Sequence, residues 1–309
     1  MLAVLTEERF SDPDWIFERK LDGERSLAFR RGTRLWLLSR TEQRLNDTYP
    51  EIVEALLAQD CTDFVVDGEI VAFEGAQTSF ARLQRRMQLR DPERARRSGV
   101  AVFYYAFDLL RLDGRDTTGL PLRERKTLLR SSLTFDDPVR YLPHRNAEGE
   151  RFYRDACRKG WEGLIAKRAE APYRHTRSRD WLKFKCVNEQ EFVIGGYTDP
   201  GGKRIGFGAL LVGYYDGRGG LRYAGKVGTG YTDAVLRDLG DRLARLEQEE
   251  PPFARDDLPR SAVHWVRPEL VAQIGFTEVT GDGKLRHPRF LGLRRDKRPR
   301  EVVLERPAA

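Results

Sequence analysis

Hydrophobic and polar residues alternate along much of the first half of the chain with the two-residue period of β-strands. The alternation in residues 25–31 and 34–40, with Gly32-Thr33 between them, predicts a β-hairpin. The run 100–110 is too apolar for a surface strand, and we expect it to be buried on both faces. A strand interrupted by Asp67-Gly68-Glu69 is predicted at 64–73, and further short strands are predicted at 164–167 and 181–186.

Apolar positions spaced three or four residues apart predict helices between these strands. Pro50 opens a helix whose apolar face is Ile52, Val53, Leu56 and Leu57. Pro121 opens another, and residues 152–159 form one that stops at Gly160. Phe80, Leu83 and Met87 also have helical spacing. This part of the chain is therefore predicted to be a mixed α/β domain built around antiparallel sheet.

The pattern changes after about residue 186, where glycines separate short strands and a single helix intervenes. The strands are predicted at 191–197, 209–215, 221–227 and 263–266, and the helix carries Val235, Leu236, Leu239, Leu243 and Leu246. Strands with one helix are typical of a small barrel of the OB type. We therefore predict an α+β chain of two domains, 1–187 and 188–309, with a short hinge near 186–189.

Composition is that of a globular protein with a basic balance. The chain has 309 residues, 40% hydrophobic and 33% charged, and 55 Lys plus Arg against 48 Asp plus Glu give a net charge of +7. This balance suits a polyanionic partner. No apolar stretch is long enough to span a bilayer, and the N-terminal residues do not form a signal peptide. We expect no membrane association.

The three cysteines, Cys61, Cys157 and Cys186, lie far apart and form no C-x-x-C pair. The four histidines are equally scattered. We therefore expect a cytoplasmic protein without disulfides and without a structural zinc ion.

Candidate chemistry begins at the hexapeptide Lys20-Leu21-Asp22-Gly23-Glu24-Arg25. A lysine held neutral beside a triphosphate can attack phosphorus. Gly23 removes a side chain where a ligand could approach the backbone, and Arg25 offers a fork of donors to phosphate oxygens. On its own the string is also typical of a solvated hairpin.

Later segments follow this hexapeptide in a fixed order. They are Asp67-Gly68-Glu69, Phe103-Tyr104-Tyr105-Ala106-Phe107-Asp108, Glu162-Gly163-Leu164-Ile165-Ala166-Lys167, Trp181-Leu182-Lys183-Phe184-Lys185 and Arg294-Arg295-Asp296-Lys297. In this order the segments resemble the motifs of the covalent nucleotidyltransferase superfamily, which comprises ATP-dependent DNA ligases, RNA ligases and mRNA capping enzymes. The resemblance covers nearly the whole chain and is closest to the ligase domain of bacterial end-joining ligase D and its stand-alone relatives.

The resemblance implies an adenylyltransferase domain of antiparallel sheets and flanking helices, followed by an OB-fold domain. It also implies that Lys20 attacks the α-phosphorus of ATP, with Asp22, Arg25 and Lys185 in the catalytic machinery. Lys20 is unreactive at the usual lysine pKa near 10.4, and lowering that pKa by roughly 3 units corresponds to about 4 kcal/mol. Burial, a metal ion and the cations Arg25, Lys183 and Lys185 would act in that direction.

Further nucleotide contacts follow from the same resemblance. Glu18 would accept a hydrogen bond from the adenine amino group, and Phe107 would stack on adenine. Arg40 would lie near the ribose and later the DNA 5′-phosphate. The other expected ATP contacts are Glu69, Arg177, Lys183, Lys185, Arg294 and Lys297.

Two acids are expected to bind metal. The family pattern assigns Glu69 to the ribose and a metal ion, and Glu162 to the metal ion. Mg²⁺ prefers one or two carboxylates together with water and phosphate oxygens. We therefore expect ATP and Mg²⁺ as cofactors, with Mn²⁺ as the alternative metal.

Arginines also crowd residues 82–97, which predicts either a sequence-independent DNA contact or a solvated helix. The resemblance implies a monomeric ATP-dependent DNA ligase that seals 5′-phosphate/3′-hydroxyl breaks in duplex DNA during repair. Its expected partners are nicked or broken DNA and Ku or other repair proteins, in the nucleoid region of the cytoplasm. The alternatives are an RNA ligase, a capping-type transferase, or a catalytically silent nucleic-acid-binding module.

Overall fold

A computed structural model describes residues 1–186, 188–202, 204–254, 258–259 and 262–305. Two compact units, Met1–Cys186 and Val187–Glu305, each have their own sheets and core. Both units combine sheets with a few helices, so the fold class is α+β, as predicted from the sequence.

The first unit contains twelve strands and five helices among its described residues. The strands are β1 Leu2–Leu5, β2 Trp15–Arg19, β3 Glu24–Arg31, β4 Arg34–Ser39, β5 Asp63–Glu74, β6 Gln77–Thr78, β7 Val102–Leu112, β8 Arg115–Asp116, β9 Val139–Tyr141, β10 His144–Asn146, β11 Gly163–Arg168 and β12 Arg177–Lys185. The helices are α1 Pro50–Leu57, α2 Phe80–Met87, α3 Pro92–Arg96, α4 Leu122–Ser132 and α5 Gly149–Arg158.

These strands form two sheets. One has the order β4-β3-β5-β7-β8, with β6 and β9 added at its margins, and the other has the order β1-β12-β11-β2-β10. Pairing is antiparallel except between β1 and β12 and between β7 and β9. Short hairpins such as β3–β4 build the first sheet locally, whereas β1 and β12 come from opposite ends of the unit.

The core of the first unit has several layers. The largest cluster lies on one face of the β3–β5–β7 sheet, where Ala28, Val66 and Tyr104 pack with residues of α1 and α2 such as Ile52 and Leu83. A second cluster contains Phe107 of β7 and Trp181 of β12. Residues of the two sheets therefore meet, and the cluster that joins them holds several of the candidate site residues.

The second unit contains strands β13 Asn188–Tyr197, β14 Leu210–Tyr215, β15 Leu221–Val227, β16 Glu247–Gln248, β17 His264–Phe276, β18 Glu278–Val279, β19 Leu285–Arg286 and β20 Arg289–Arg294. Its helix is α6 Asp233–Ala244, and a 3-10 turn spans Pro299–Glu301. The main sheet runs β15-β14-β13-β17-β16, and β20 pairs with β17. Leu236, Leu239 and Leu243 of α6 pack on its buried face. The arrangement is the OB-type domain that the strand pattern predicted.

Many element positions agree with the sequence analysis, but several differ. Strand β12 begins at Arg177, four residues before its predicted start at Trp181, and β5 continues through the interruption predicted at Asp67-Gly68-Glu69. Helix α5 begins at Gly149, three residues before the predicted start at Phe152. Strand β17 runs to Phe276, far beyond the predicted 263–266, because the apolar run that follows Pro268 continues the pairing with β13.

The expectation of no disulfide is wrong: Cys157 of α5 and Cys186 are bonded, with 5.2 Å between their Cα atoms. They lie 29 residues apart, and the end of α5 comes beside the end of β12 only in the folded unit. Cys61 is not bonded. Within the described part of the chain, no helix is both long and apolar enough to cross a bilayer.

The arginine-rich segment does not form one solvated face. Arg86 is almost fully buried, and its guanidinium donates to the Thr48 and Val100 carbonyl oxygens and pairs with Glu51 at 2.5 Å. Arg85, Arg90 and Arg94 are exposed. A DNA contact through Arg86 is therefore excluded, whereas the exposed arginines keep that role open.

Candidate active site

The register of β2, β11 and β12 aligns the candidate residues of these strands. Glu18 pairs with Ile165, which pairs with Lys183, so these three form a cross-strand row. One step along, Gly163 pairs with Lys185, and the Lys20 amide donates to the Gly163 carbonyl oxygen at 3.0 Å. Residues two apart share a face of a strand. The sheet therefore brings the residues around Lys20, Glu162 and Lys185 to one end of the three strands.

Lys20 is held by Glu162, because its Nζ donates a hydrogen bond to Glu162 Oε1 and forms an ion pair with that carboxylate. Burial is the largest influence and would lower the pKa of Lys20. The charge and hydrogen bond of Glu162 outweigh burial and raise the pKa of Lys20. The charges of Asp22 and Glu69 also raise it.

The sequence analysis expected a lowered pKa at Lys20. For the nucleotide-free chain this expectation is wrong, because carboxylates rather than cations are the nearest charges. In this arrangement Lys20 is a protonated amine and not yet a nucleophile.

Arg25 is anchored by Asp67 of β5 and by Tyr173. Its Nε lies 3.0 Å from Asp67 Oδ1 and its Nη2 lies 2.6 Å from Asp67 Oδ2, while the Tyr173 hydroxyl donates to the same carboxylate at 2.8 Å. Although burial would lower the pKa of Arg25, Asp67 raises it above the usual arginine value. Two parallel N–H···O bonds fix the guanidinium plane, so Arg25 is oriented before any ligand arrives.

Phe107 lies in a cluster of aromatic rings and cations. Its ring meets that of Trp181 edge to face at 6.1 Å. Lys167 Nζ lies 4.3 Å from the Phe107 centroid and 3.9 Å from that of Trp181, and the Arg25 guanidinium lies 5.5 Å from Phe107. Cations placed over aromatic rings are attracted by the ring quadrupole. The ring expected to stack on adenine is thus covered by two cations in this structure.

Glu18 is fully buried and binds two lysines. Lys126 of α4 donates to Glu18 Oε1, and Lys167 Nζ lies 2.6 Å from Glu18 Oε2. Burial would raise the pKa of Glu18, but the two ammonium groups lower it below its ordinary value. Both oxygens of the carboxylate that the sequence analysis expected to accept from adenine therefore already bind lysines.

The remaining candidates are more dispersed. Asp22 is half-buried beside Lys20, and its amide donates to Thr78 Oγ1 at 3.4 Å. Arg40 is half-buried just after β4, and Arg177 is exposed and donates to the Ala3 carbonyl oxygen at 2.8 Å. The need for glycine at position 23 has a different cause from the one predicted. A Cβ atom there would lie 2.1 Å from the Ile70 carbonyl oxygen, so β5 and not a ligand occupies that space.

Arg294 and Lys297 belong to the second unit. Arg294 forms two bonds to Asp296, at 2.9 and 2.8 Å, and Lys297 Nζ lies 2.9 Å from Glu191 of β13. Asp296 is nearly fully buried, so the end of β20 is a fixed cationic cluster and not a loose basic tail.

Family comparison agrees with this arrangement. Residues 1–185 match the family described as "ATP dependent DNA ligase domain", and residues 203–297 match "ATP dependent DNA ligase C terminal region". The chain belongs to the ATP-dependent DNA ligases. These enzymes use ATP, in accord with the cofactor predicted from the sequence.

Several curated relatives of this chain are end-joining proteins. The chain is 37% identical to the multifunctional non-homologous end joining protein LigD of Pseudomonas aeruginosa over 96% of its length, which is 35% of that protein. It is 38% identical to the corresponding Mycobacterium tuberculosis repair protein over 94% of the chain and 37% of the relative. The chain thus spans little more than a third of these relatives.

Solved structures of ligases share the fold. A mycobacterial DNA ligase D complexed with ATP and MES matches with a TM-score of 0.66 at 33% identity, covering 98% of both chains. The ligase domain of M. tuberculosis LigD matches with a TM-score of 0.51 at 32% identity, also covering 98% of both.

The carboxylates of this ligase fit a divalent cation. Glu162 Oε1 accepts from Lys20, but Oε2 is buried and accepts no hydrogen bond from any residue that the structure describes. Glu69 lies near enough for its charge to act on Lys20. One or two carboxylates suffice for Mg²⁺ when phosphate and water supply the remaining ligands. A spare, buried carboxylate oxygen is thus available for a cation beside the lysine.

Sequence reasoning did not find Lys126, Arg125 or Asp67 as parts of this site. Arg125 forms two bonds to Asp108, at 2.7 and 3.0 Å, and both side chains are fully buried. In the sequence, Arg125 and Lys126 belong to a charged helical run that is typical of a solvated face. Asp67 stood in a quoted motif, but nothing in the sequence distinguishes its role from that of Glu69.

Proposed function

We propose that this chain is an ATP-dependent DNA ligase that forms a covalent lysyl-AMP at Lys20, passes AMP to a 5′-phosphate, and joins that end to a 3′-hydroxyl. The observation that carries the proposal is Lys20 at the meeting point of β2, β11 and β12, next to Glu162 and one register step from Lys185. Family membership supports the choice of ATP.

For Lys20 to attack, its ion pair with Glu162 has to open, because that pair favours the protonated amine. Once the carboxylates of Glu162 and Glu69 are neutralised, burial becomes the dominant influence, and burial lowers the pKa of Lys20. A Mg²⁺ ion held by Glu162 and Glu69 would neutralise both carboxylates and draw electron density from the α-phosphate.

Lys20 Nζ then bonds to the α-phosphorus as pyrophosphate leaves, which gives a phosphoramidate that keeps AMP activated. Arg25, fixed by Asp67, places its positive charge near the phosphate oxygens; its Nη1 donates to the Met1 carbonyl oxygen at 2.5 Å and would exchange that partner to bind phosphate directly. Lys183 and Lys185 share one face of β12 and stabilise charge on the same phosphates. To reach Phe107 and Glu18, adenine would displace Lys167 from both residues. Arg40 and Arg177 would contact the rest of the nucleotide, and Arg294 and Lys297 the pyrophosphate.

In the next steps the DNA 5′-phosphate replaces Lys20 on AMP, and the 3′-hydroxyl then displaces AMP from the DNA. Adenylation turns a poor leaving group into a good one. We assign residues 1–187 to nucleotide transfer and residues 188–309 to the OB domain. The proposed partners are nicked or broken duplex DNA and the Ku end-binding protein, for a monomer that acts in cytoplasmic DNA repair.

The deciding experiment is mass spectrometry of the intact chain after incubation with ATP and MgCl₂ without DNA. We expect an increase equal to one AMP moiety, located on Lys20 by peptide mapping. Lys20→Ala should abolish the adduct, whereas Lys159→Ala, which removes an exposed lysine of the same unit, should not.

A second arm uses a 5′-phosphorylated nick in DNA or in RNA. Sealing of the DNA nick by the wild type and not by Lys20→Ala supports the proposal. Labelling with GTP alone would indicate a capping-type transferase, and sealing of RNA alone would indicate an RNA ligase. An adduct on another residue would refute the assignment of Lys20.

A further inference from the structure

The disulfide lies where the chain passes from the first compact unit to the second. Cys186 directly follows Lys185, the last residue of β12 and a proposed catalytic residue, and the first unit ends at Cys186. Cys157 lies in the last turn of α5, a helix that packs on β2 and β11. The bond therefore ties α5 to the end of the strand that carries Lys183 and Lys185.

Other contacts of the described residues also hold this strand end, including the pairing of Phe184 and Lys185 with β11 and the full burial of Phe184. The Tyr153 hydroxyl of α5 donates to the Lys185 carbonyl oxygen at 2.9 Å, and the Cys186 amide donates to the Glu162 carbonyl oxygen at 2.9 Å. Tyr153 also packs edge to face on Phe184 at 6.1 Å. Breaking the disulfide would remove the covalent link between α5 and Cys186, whereas the pairing with β11, the packing of Phe184 and hydrogen bonds of about 1 kcal/mol each would remain.

Both bonded cysteine residues are half-buried, so part of each residue is accessible to solvent. Exchange requires such access. Cys61, the third cysteine, lies elsewhere in the unit, and its thiol donates to the Asp63 carbonyl oxygen at 3.7 Å. The chain therefore has a paired site and an unpaired thiol that serves as an internal control.

An enzyme that joins DNA in the cytoplasm works where thiols are kept reduced, and disulfides formed there are typically transient and redox-sensing. We propose that Cys157 and Cys186 are a reversible dithiol–disulfide site that reacts with low-molecular-weight disulfides such as glutathione disulfide, and that its oxidation slows DNA joining by fixing the end of β12. The effect on joining rests on the proposed ligase function; the pairing of the two cysteines does not.

The exchange balances without another reactant. One cysteine thiolate attacks glutathione disulfide, forms a mixed disulfide and releases one glutathione. The second thiolate then attacks the cysteine sulfur of the mixed disulfide and releases the second glutathione. The two protein thiols lose two protons and two electrons in total. Glutathione disulfide gains these protons and electrons and becomes two molecules of glutathione. Excess glutathione or dithiothreitol reverses the sequence.

The structural consequence is a change in motion at the strand end. In the oxidised chain the Cys186 amide and the last turn of α5 should exchange hydrogen with solvent more slowly than in the reduced chain, by about fivefold or more. Sealing involves conformational steps, and such steps often limit turnover. A disulfide at Cys186, where the first unit ends, should therefore slow sealing more than it changes nucleotide binding.

The test uses the full chain equilibrated at defined ratios of glutathione to glutathione disulfide. Alkylation followed by intact mass spectrometry should find three reactive thiols in the reduced form and one, Cys61, in the oxidised form. Cys157→Ser should prevent pairing, and Cys61→Ser should leave pairing intact. Hydrogen exchange of α5 and the Cys186 amide is recorded on the same samples.

Single-turnover sealing by pre-adenylated chain then measures the effect on function. We expect oxidation to slow sealing at least about fivefold, reversal by dithiothreitol, no redox response in Cys157→Ser, and the full response in Cys61→Ser. Three reactive thiols under oxidising ratios, or equal exchange and sealing in both forms, would overturn the inference. If the chain seals nothing in either form, the ligase proposal fails, while the thiol counts and exchange data still decide the pairing.

Discussion

Charged side chains inside the first unit are stabilised in mutually paired sets. Glu18 binds Lys126 and Lys167, and Asp108 binds Arg125, all with almost no exposure to solvent. Burying a charge without a partner is strongly unfavourable, so each set has to be complete. These residues therefore fix one arrangement around the proposed adenine site.

Glu18→Gln should lower the free energy of unfolding by about 3–5 kcal/mol at pH 7, because Lys126 and Lys167 lose their counter-charge. The folded-state pKa of Glu18 lies below its ordinary value of 4.5, so its stabilisation is present above pH 4.5 and is lost as the pH falls through the folded value. The difference in the free energy of unfolding between the wild type and Glu18→Gln should therefore become smaller below pH 4.5. Urea unfolding followed by circular dichroism across this pH range checks it.

Glu170→Gln is the control, since Glu170 is an exposed partner of Arg123 and its loss should change stability by no more than about 0.5 kcal/mol. A Glu18→Gln variant as stable as the wild type at pH 7 would show that the buried lysines do not depend on this carboxylate.

At the scale of elements, β5 is shaped by Tyr104 of its neighbour β7. The Tyr104 hydroxyl donates to the Ser26 and Val66 carbonyl oxygens, at 3.2 and 3.0 Å, and its ring crosses the strand at Gly68. The β5–β7 register shifts at Asp67/Gly68. Gly68 is therefore required by packing, between Asp67, which orients Arg25, and Glu69.

Gly68→Ala should destabilise the first unit by about 1–3 kcal/mol or more, because the new Cβ would lie 2.4 Å from the Tyr104 ring. Gly119→Ala is the matched control, since no atom lies within 4 Å of its Cβ position. Thermal unfolding of both variants measures the difference. Equal melting temperatures for the two would contradict the proposed steric role of Gly68.

The same elements show how far the sequence could be interpreted. Alternation identified β3 and β4, and apolar density identified β7 as buried, because these patterns are local. The burial of Arg125 and Lys126 was not predictable, since their partners lie far away in sequence on β7 and β2. Lys20, Glu69 and Glu162 were proposed through their motifs, whereas the Lys20–Glu162 ion pair could be described only from the register of three strands.

For the whole molecule, each unit contributes its own cations to the proposed chemistry. Lys20, Lys183 and Lys185 belong to the first unit, and Arg294 and Lys297 to the second. The rate of a step that uses cations of both units should fall when a cation of either unit is removed. The rate of a step that uses only one unit should not change when a cation of the other unit is removed.

Lys297→Ala should slow lysyl-AMP formation by about 100-fold, because a cation expected at the leaving pyrophosphate is removed. Sealing by chain that has already been adenylated should change little, since pyrophosphate has gone. Rapid-quench measurements of the two steps separate them, with Lys226→Ala as the control from the same unit. Equal slowing of both steps would argue against a role confined to pyrophosphate release.

DNA binding should weaken with salt in proportion to the number of phosphate contacts. Arg85→Gln and Arg94→Gln each remove an exposed cation, and each should reduce the slope of log affinity against log salt by about 0.9 if that arginine contacts phosphate. Arg237→Gln on α6 removes the same charge elsewhere. Fluorescence anisotropy over a series of salt concentrations measures these slopes. If the slope of log affinity against log salt is unchanged in both variants, DNA does not contact α2 or α3 through these arginines.

Strand β1 pairs in parallel with β12, so residues 2–5 find their partners only at residues 177–183. A nascent chain leaving the ribosome must therefore expose this apolar segment until almost the whole first unit has been translated. Pairings between such distant residues form late and slowly. During synthesis, the β1-β12-β11-β2-β10 sheet, which carries Lys183 and Lys185, is thus expected to form last, after the local hairpins have folded.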